Sequence, residues 1–197
     1  MSRTSSFEQV ISSLDGILKL NHDHIVVAID GDAASGKTTL SLELAKHYHA
    51  TVIHTDQFYL PFDKRTESPA GHINIKKIIH EVLIPHALGK ELHFEWFDPH
   101  QGKVREIIQL PHTQMLILEG SYAMHPDLLP YMHYKIFLSI SESLQQKRIL
   151  SRSNPETLEK FKSIWIPKEK HYQSAFSIPA FADIIIDADA SSIKENL

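Results

Sequence analysis

The chain reads as an α/β protein, a three-layer sandwich around a mostly parallel, five-stranded sheet. Three observations predict this. Short apolar runs rich in β-branched residues, at 25–29, 51–54, 115–118, 134–140 and 183–187, alternate with stretches of helical period. The clearest of them are apolar without alternation, as strands covered on both faces must be. The first run passes directly into a glycine-bearing loop and then a helical pattern, which is the order of a βα unit. At 197 residues the chain can bury one sizeable core, and a single domain over 1–197 is the expectation.

Composition narrows the function classes. The chain is 42% hydrophobic and 22% charged, with a formal net charge of −4. No basic excess points to nucleic acid, so anion binding must come from local groups. With no cysteine there is no disulfide and no thiolate metal site, which fits a reducing cytoplasm. Residues 1–15 hold no apolar core of signal-peptide length, and no run reaches the length of a membrane span. The fourteen histidines are scattered without metal-ligand spacing, and His22 and His24 read as surface residues before the first strand.

Taken in order, Phe7, Val10, Ile11, Leu14, Ile17 and Leu18 recur at helical spacing over 6–20. The run 25–29 is a buried strand, and 38–49 is a helix with Leu40, Leu42, Leu44, Ala45 and Tyr48 on its apolar positions. A short strand at 51–54 ends at Asp56 in an opening loop. Residues 61–71 are polar and punctuated by Pro and Gly, with Lys64 and Arg65 free to reach a substrate or the solvent. A helix over 73–88 is kinked or ended by Pro85. Residues 92–97 and 104–110 form a hairpin around 98–102, so 61–112 reads as a substrate-side insertion. The strand 115–118 ends in Glu119, and the strand 134–140 is followed by Ser141 as helix cap with Glu142 in the first turn. The next helix carries Lys147, Arg148 and Arg152. Pro155 suits the first turn of another helix running past Phe161 and Trp165. The last strand is 183–187, and the tail from Ala188 is polar.

The loop after the first strand is the most specific stretch. Gly31, Asp32, Ala33, Ala34, Ser35, Gly36, Lys37, Thr38 and Thr39 contain G-x-x-x-x-G-K-[ST], the P-loop pattern, here between a strand and a helix. Its N–H groups and helix N-terminus suit phosphate oxygens, and Lys37 adds a point charge. The fold class is therefore that of a P-loop NTPase. Glu119, a carboxylate closing an apolar strand, stands where Mg²⁺ or its waters are held. Asp56 stands at the carboxyl end of a strand, where ligands gather in doubly wound sheets.

Together, the P-loop, Asp56-Gln57-Phe58-Tyr59, Glu119-Gly120 and the Arg148/Arg152 helix resemble the uridine kinase family, which is related to phosphoribulokinase and bacterial pantothenate kinase. The resemblance runs from about 25 to 187. It is nearest to a bacterial branch that shares a Glu-Gly-Ser-Tyr-x-Met-His-Pro segment (119–126) and a Trp-Ile-Pro-x-Glu segment (165–169). It implies ATP as donor, Mg²⁺, and phosphorylation of the 5′-hydroxyl of uridine or cytidine to the monophosphate. By the same resemblance Asp56 acts as catalytic carboxylate near Mg²⁺, with Thr38 and Glu119 as the other metal-side groups. Lys37, Arg148 and Arg152 stabilise the transferring phosphoryl, the two arginines as part of a lid at about 148–170, with Lys147 and Lys168 as weaker candidates. Tyr59, Phe97 and His100 line the acceptor side.

Three departures fall on the acceptor side. Residues 69–74 lack the family's acidic group for ribose hydroxyls. Residues 94–100 match its base-binding segment in two registers, one using His100 and the other Asp98. The lid lacks Arg-Gly-Arg. Two alternatives stay open: a P-loop kinase of another small hydroxyl compound, and an ATP-binding regulatory NTPase without an acceptor. The expected partner is a small molecule rather than nucleic acid or membrane, and a homo-oligomer is left open.

Overall fold

In the computed structural model, residues 6–20 and 23–190 are described. The readings of 1–5, of His22 and of the tail beyond Ala190 lie outside the described residues. Five parallel strands form the sheet in the order β2-β5-β1-β6-β7: β1 (Ile25–Gly31), β2 (Thr51–His54), β5 (Met115–Glu119), β6 (Tyr134–Ser139) and β7 (Ile184–Asp187). Strands β3 (Leu92–Asp98) and β4 (Lys103–Leu110) make a separate antiparallel hairpin.

The period-2 alternation of β1 divides the interior in two. Ile25, Val27 and Ile29 face one layer, with Val10 and Leu14 of α1 (Ser6–Leu18) and Leu40 and Leu44 of α2 (Lys37–Tyr48). Val26 and Ala28 face the other, with Ile78, Val82, Leu83, Leu92, Phe94 and Tyr172. Every residue of β1 and β5 is buried, which is why their sequences show no polar alternation. Residues of the expected insertion thus complete the core on one face, Phe58 packing on Phe94 at 4.8 Å between ring centroids.

Two helices depart from the expected regularity in the same way. The helix over 73–88 consists of α3 (Ile75–Ile78), a π-helical stretch (Ile79–Leu83) and α4 (Ile84–Ala87), with Pro85 in the first turn of α4. After α5 (Glu142–Ser151), α6 (Pro155–Lys160) runs through a π-helical stretch (Phe161–Trp165) into α7 (Ile166–Ala175), with Pro167 in its first turn. A proline ring meets the carbonyl four residues back. The wider π turn relieves that clash, so each helix passes its proline without ending.

The histidines are less scattered in space than in sequence. His24, half-buried rather than a free surface residue, shares a 2.9 Å hydrogen bond with His112, and the His112 ring stacks on that of the buried His86. This cluster lies by the amino ends of the strands, where His86 Nε2 donates to the Ile25 carbonyl at 3.1 Å. Among the described residues no group of three or more His, Asp or Glu side chains is arranged to hold a metal ion. No helix among them is long and apolar enough to cross a membrane.

Candidate active site

The phosphate loop is built where β1 meets α2. Gly31 has φ +139°, and a β-carbon there would lie 2.1 Å from the Leu138 carbonyl oxygen of β6, so only glycine lets the loop leave the sheet here. Ala34 and Gly36 also turn through positive φ, at 59° and 103°. Lys37, buried at the start of α2, folds back so that Nζ donates to the carbonyls of Gly31 (2.9 Å) and Asp32 (2.8 Å). Ser35 Oγ is buried with no hydrogen-bond partner among the described residues. A polar atom left over in a loop with a lysine crown suits an incoming phosphate better than a sealed structural turn.

Two helices hold this loop from outside. From α5, Gln145 Nε2 donates to the Ala33 carbonyl (2.9 Å), and Arg148 Nη1 donates to those of Ala34 and Ser35 (3.2 and 3.3 Å). From α7, Tyr172 donates to Asp30 (2.9 Å), Lys170 and Gln173 donate to Asp32 (2.7 and 3.1 Å), and Glu169 accepts the Ala33 N–H (3.0 Å). Burial pushes the Asp30 carboxyl up to about 6, against the pull of the N–H groups of Met124 and Gly31. Arg148 therefore lies on the loop, while Arg152 is exposed beyond the end of α5. Lys147 is exposed, as is Lys168.

The three groups expected on the metal side stand at the carboxyl ends of β2 and β5 and the start of α2. Glu119, 5% exposed at the end of β5, accepts from Thr38 Oγ1 at 3.2 Å. The same oxygen lies 2.5 Å from His54 Nδ1, because β2 pairs with β5 so that His54 stands opposite Glu119. Two residues on, Asp56 sits exposed in a 3-10 turn (Thr55–Phe58) instead of an open loop, and Gln57 Oε1 closes that turn on the His54 N–H at 3.1 Å. Desolvation raises Asp56 above the ordinary carboxylate value, and the Glu119 charge adds to this, while His54 opposes it. A hydroxyl and two carboxylates are a hard-oxygen set of the kind Mg²⁺ takes together with substrate phosphates. Their chemistry fits that ion.

The residues expected on the acceptor side come from distant segments. Tyr59 stacks on His72 at 5.8 Å, and His72 meets the buried Tyr122 edge-on at 4.7 Å. Burial pushes the Tyr59 hydroxyl up to about 12 and His72 down to about 4, so both are neutral near pH 7. Arg65 lies over the Phe62 ring at 4.1 Å, and Arg105 over Trp96 at 4.4 Å. His100 is exposed in the hairpin turn, 5.7 Å from the Phe62 ring, and Phe97 is half-buried on β3. Asp98 caps that turn, accepting from the N–H groups of His100 and Gln101.

Several groups receive no role from a reading of sequence: His54, Gln145, Lys170, Tyr172 and Gln173, and also Ser121, Tyr122 and Glu169, which it notices only as members of the 119–126 and 165–169 segments. One signal was present. Residues 169, 172 and 173 are spaced as one helix face, and that face is polar yet buried, with the exposed Lys170 reaching in beside it to Asp32.

Comparison with known proteins identifies the fold. No family model matches the chain, and no curated relative matches it. Solved structures do. A possible uridine kinase from Bacillus stearothermophilus is 17% identical over 91% of this chain and 100% of its own, with a TM-score of 0.62. A candidate fructose transport system kinase from Silicibacter sp. TM1040 is 17% identical over 83% and 93%, with a TM-score of 0.61. YFH7 from Saccharomyces cerevisiae, a candidate P-loop kinase with a circular permutation, is 14% identical over 92% and 98%, with a TM-score of 0.59. At such identities the likeness is one of architecture: the chain has the α/β fold of P-loop kinases.

Proposed function

We propose that this protein is an ATP- and Mg²⁺-dependent phosphotransferase acting on the hydroxyl of a small molecule, with the 5′-hydroxyl of uridine or cytidine as the first acceptor to test. One observation carries the reading. Asp56 lies in the 3-10 turn that follows β2, within electrostatic reach both of Glu119, which pairs with Thr38, and of Tyr59, which opens the ring series Tyr59–His72–Tyr122. A regulatory nucleotide binder needs the phosphate loop and the metal groups, but it does not need a raised carboxylate on an acceptor face.

In this reading residues 31–39 bind the ATP phosphates, and Lys37 exchanges its loop carbonyls for phosphate oxygens. Thr38 and Glu119 hold Mg²⁺, which when bound neutralises charge on the phosphates. Asp56 accepts the proton of the attacking hydroxyl, a contribution of roughly 10²–10⁴-fold. Arg148 braces the loop through its carbonyls. The absence of cysteine suits work in the cytoplasm.

A second reading, a hydroxyl compound other than a nucleoside, is favoured by the lack of an acid in 69–74 and by the cations Arg65 and Arg105 on the acceptor face. ADP release measured with uridine, cytidine, sugars and sugar phosphates separates the two. Turnover with other hydroxyl compounds but not with uridine or cytidine removes the nucleoside assignment. ATP hydrolysis that no acceptor accelerates, and that Asp56→Asn leaves unchanged, removes the kinase assignment.

A further inference from the structure

Glu169 is a buried carboxylate, 9% exposed, to which the chemistry above assigns no part. Its two oxygens point in different directions. Oε2 accepts the N–H of Ala33 in the phosphate loop at 3.0 Å, and Oε1 accepts the Ser121 hydroxyl at 2.5 Å. Ser121 follows Glu119 and Gly120 at the end of β5. Its own carbonyl accepts from Thr55 Oγ1 at 2.9 Å, and Thr55 immediately precedes Asp56. Thr55 comes this close because residue 120 is glycine with φ +129°, where a β-carbon would lie 2.2 Å from Thr55 Oγ1. A continuous line thus runs from Ala33 through Glu169, Ser121 and Thr55 to the turn that carries Asp56. One end of the line is the donor cradle, and the other is the proposed base.

We infer that Glu169 is a positioning residue for phosphoryl transfer: it fixes the distance between the phosphate loop and the Asp56 turn by bridging Ala33 and Ser121. The inference rests on the kinase reading. Transfer between two bound substrates is sensitive to such a distance, and a displacement of about 1 Å can cost about 10²-fold. The bridge works by shape and hydrogen bonding rather than by negative charge. Glutamine can span the same gap, its carbonyl accepting from Ala33 and its amide donating to Ser121 Oγ.

The test is a variant series assayed at saturating ATP and acceptor, with the melting temperature of each variant recorded. Glu169→Ala should lower kcat by roughly tenfold to a hundredfold while KM for ATP stays within about threefold. Glu169→Gln should restore most of that loss. Ser121→Ala should lower kcat in the same direction, and adding it to Glu169→Ala should cost little more, since the bridge is already cut. Glu169→Gln as impaired as Glu169→Ala would show that the charge is what matters and overturn the inference. So would multiplicative effects of the two alanine variants, or normal kcat in a Glu169→Ala protein that folds. If the wild type phosphorylates no acceptor, the kinase reading fails by itself. The bridge is then decided by amide exchange at Ala33, which Glu169→Ala should accelerate and Glu169→Gln should not; unchanged exchange in Glu169→Ala overturns it.

Discussion

The two halves of the proposed site are built on opposite plans. The proposed donor side is one contiguous loop: Lys37, Gln145 and Arg148 hold the carbonyls of residues 31–35, and Glu169 holds the Ala33 N–H. The proposed acceptor side draws Tyr59, His72 and Tyr122 from separate stretches of chain and joins them by ring contacts, with Asp56 and Arg105 within electrostatic reach of each other. A phosphate cradle has one geometry because phosphate has one shape, so it is locked by hydrogen bonds with fixed directions. An acceptor face is shaped by packing, which tolerates exchange of residues. The donor side can therefore be read from spacing alone, and the acceptor side cannot.

The most direct way to break this contrast is to separate the two sides functionally. Asp56→Asn should lower acceptor-dependent ADP release by roughly 10²–10⁴-fold while ATP binding, followed by calorimetry, stays close to wild type. Lys37→Ala should instead weaken ATP binding itself. Equal loss of ATP affinity in both variants would erase the distinction between the sides.

Packing under the acceptor side supplies the next test. Phe94, 2% exposed and set against Phe58, links the hairpin to the main core. Phe94→Ala should cost roughly 3–5 kcal/mol in urea unfolding. A cost near zero would mean that the hairpin is a detachable appendage.

Acid should sharpen the comparison further. His72 and His86 are each held down to about 4 by burial, so from about pH 6.5 downward the unfolded chain takes up protons that the native chain refuses, and stability falls. Asp30, raised to about 6, has the opposite sign: between about pH 6 and its ordinary value near 3.8 the native chain holds the extra proton and gains stability. The two histidines together outweigh Asp30; of the lesser shifts His125, lowered by burial, adds to the fall, while His54 and Asp56, both raised, oppose it, so the melting temperature should decline between pH 7 and 4.5. His86→Gln should flatten that slope. A rise in melting temperature over this interval would contradict the assignment.

The smallest effect distinguishes two arginines. Arg148→Ala removes two hydrogen bonds from the loop and should weaken ATP binding by about tenfold. Arg152→Ala, at an exposed position, should change it by less than about twofold.

Much of the fold was legible because β1 and β5 run apolar without alternation from Ile25 to Ile29 and from Met115 to Leu118, and only a doubly covered strand needs that. Ser141 was readable as a cap because its hydroxyl accepts the Leu144 N–H, a local bond with a local signature. The turn at Asp56 looked like an open loop because what closes it, Gln57 folding back on His54, involves residues of no special turn propensity. Glu169 could be noticed as part of a segment, but its partners lie 48 and 136 residues away in the chain, and no periodicity encodes such a pairing. His24 misled for the same reason: His86 and His112, which cover it, are remote in sequence.

The π turn before Pro167 bears on how this site tolerates change in chain length. A helix turns by about 100° per residue, so one residue more or less between two faces swings one past the other. The stretch Phe161–Trp165 absorbs one residue more than an α-helical turn would, and it sets the phase between the exposed α6 and the face of α7 that grips Asp30, Asp32 and Ala33. Ile164 and Trp165 consequently point outward while Glu169 and Tyr172 point in. The segment upstream can vary in length and sequence without disturbing the loop, provided this one turn keeps its count. It acts as an angular spacer, separating a part of the chain that can drift from a part that must stay in register.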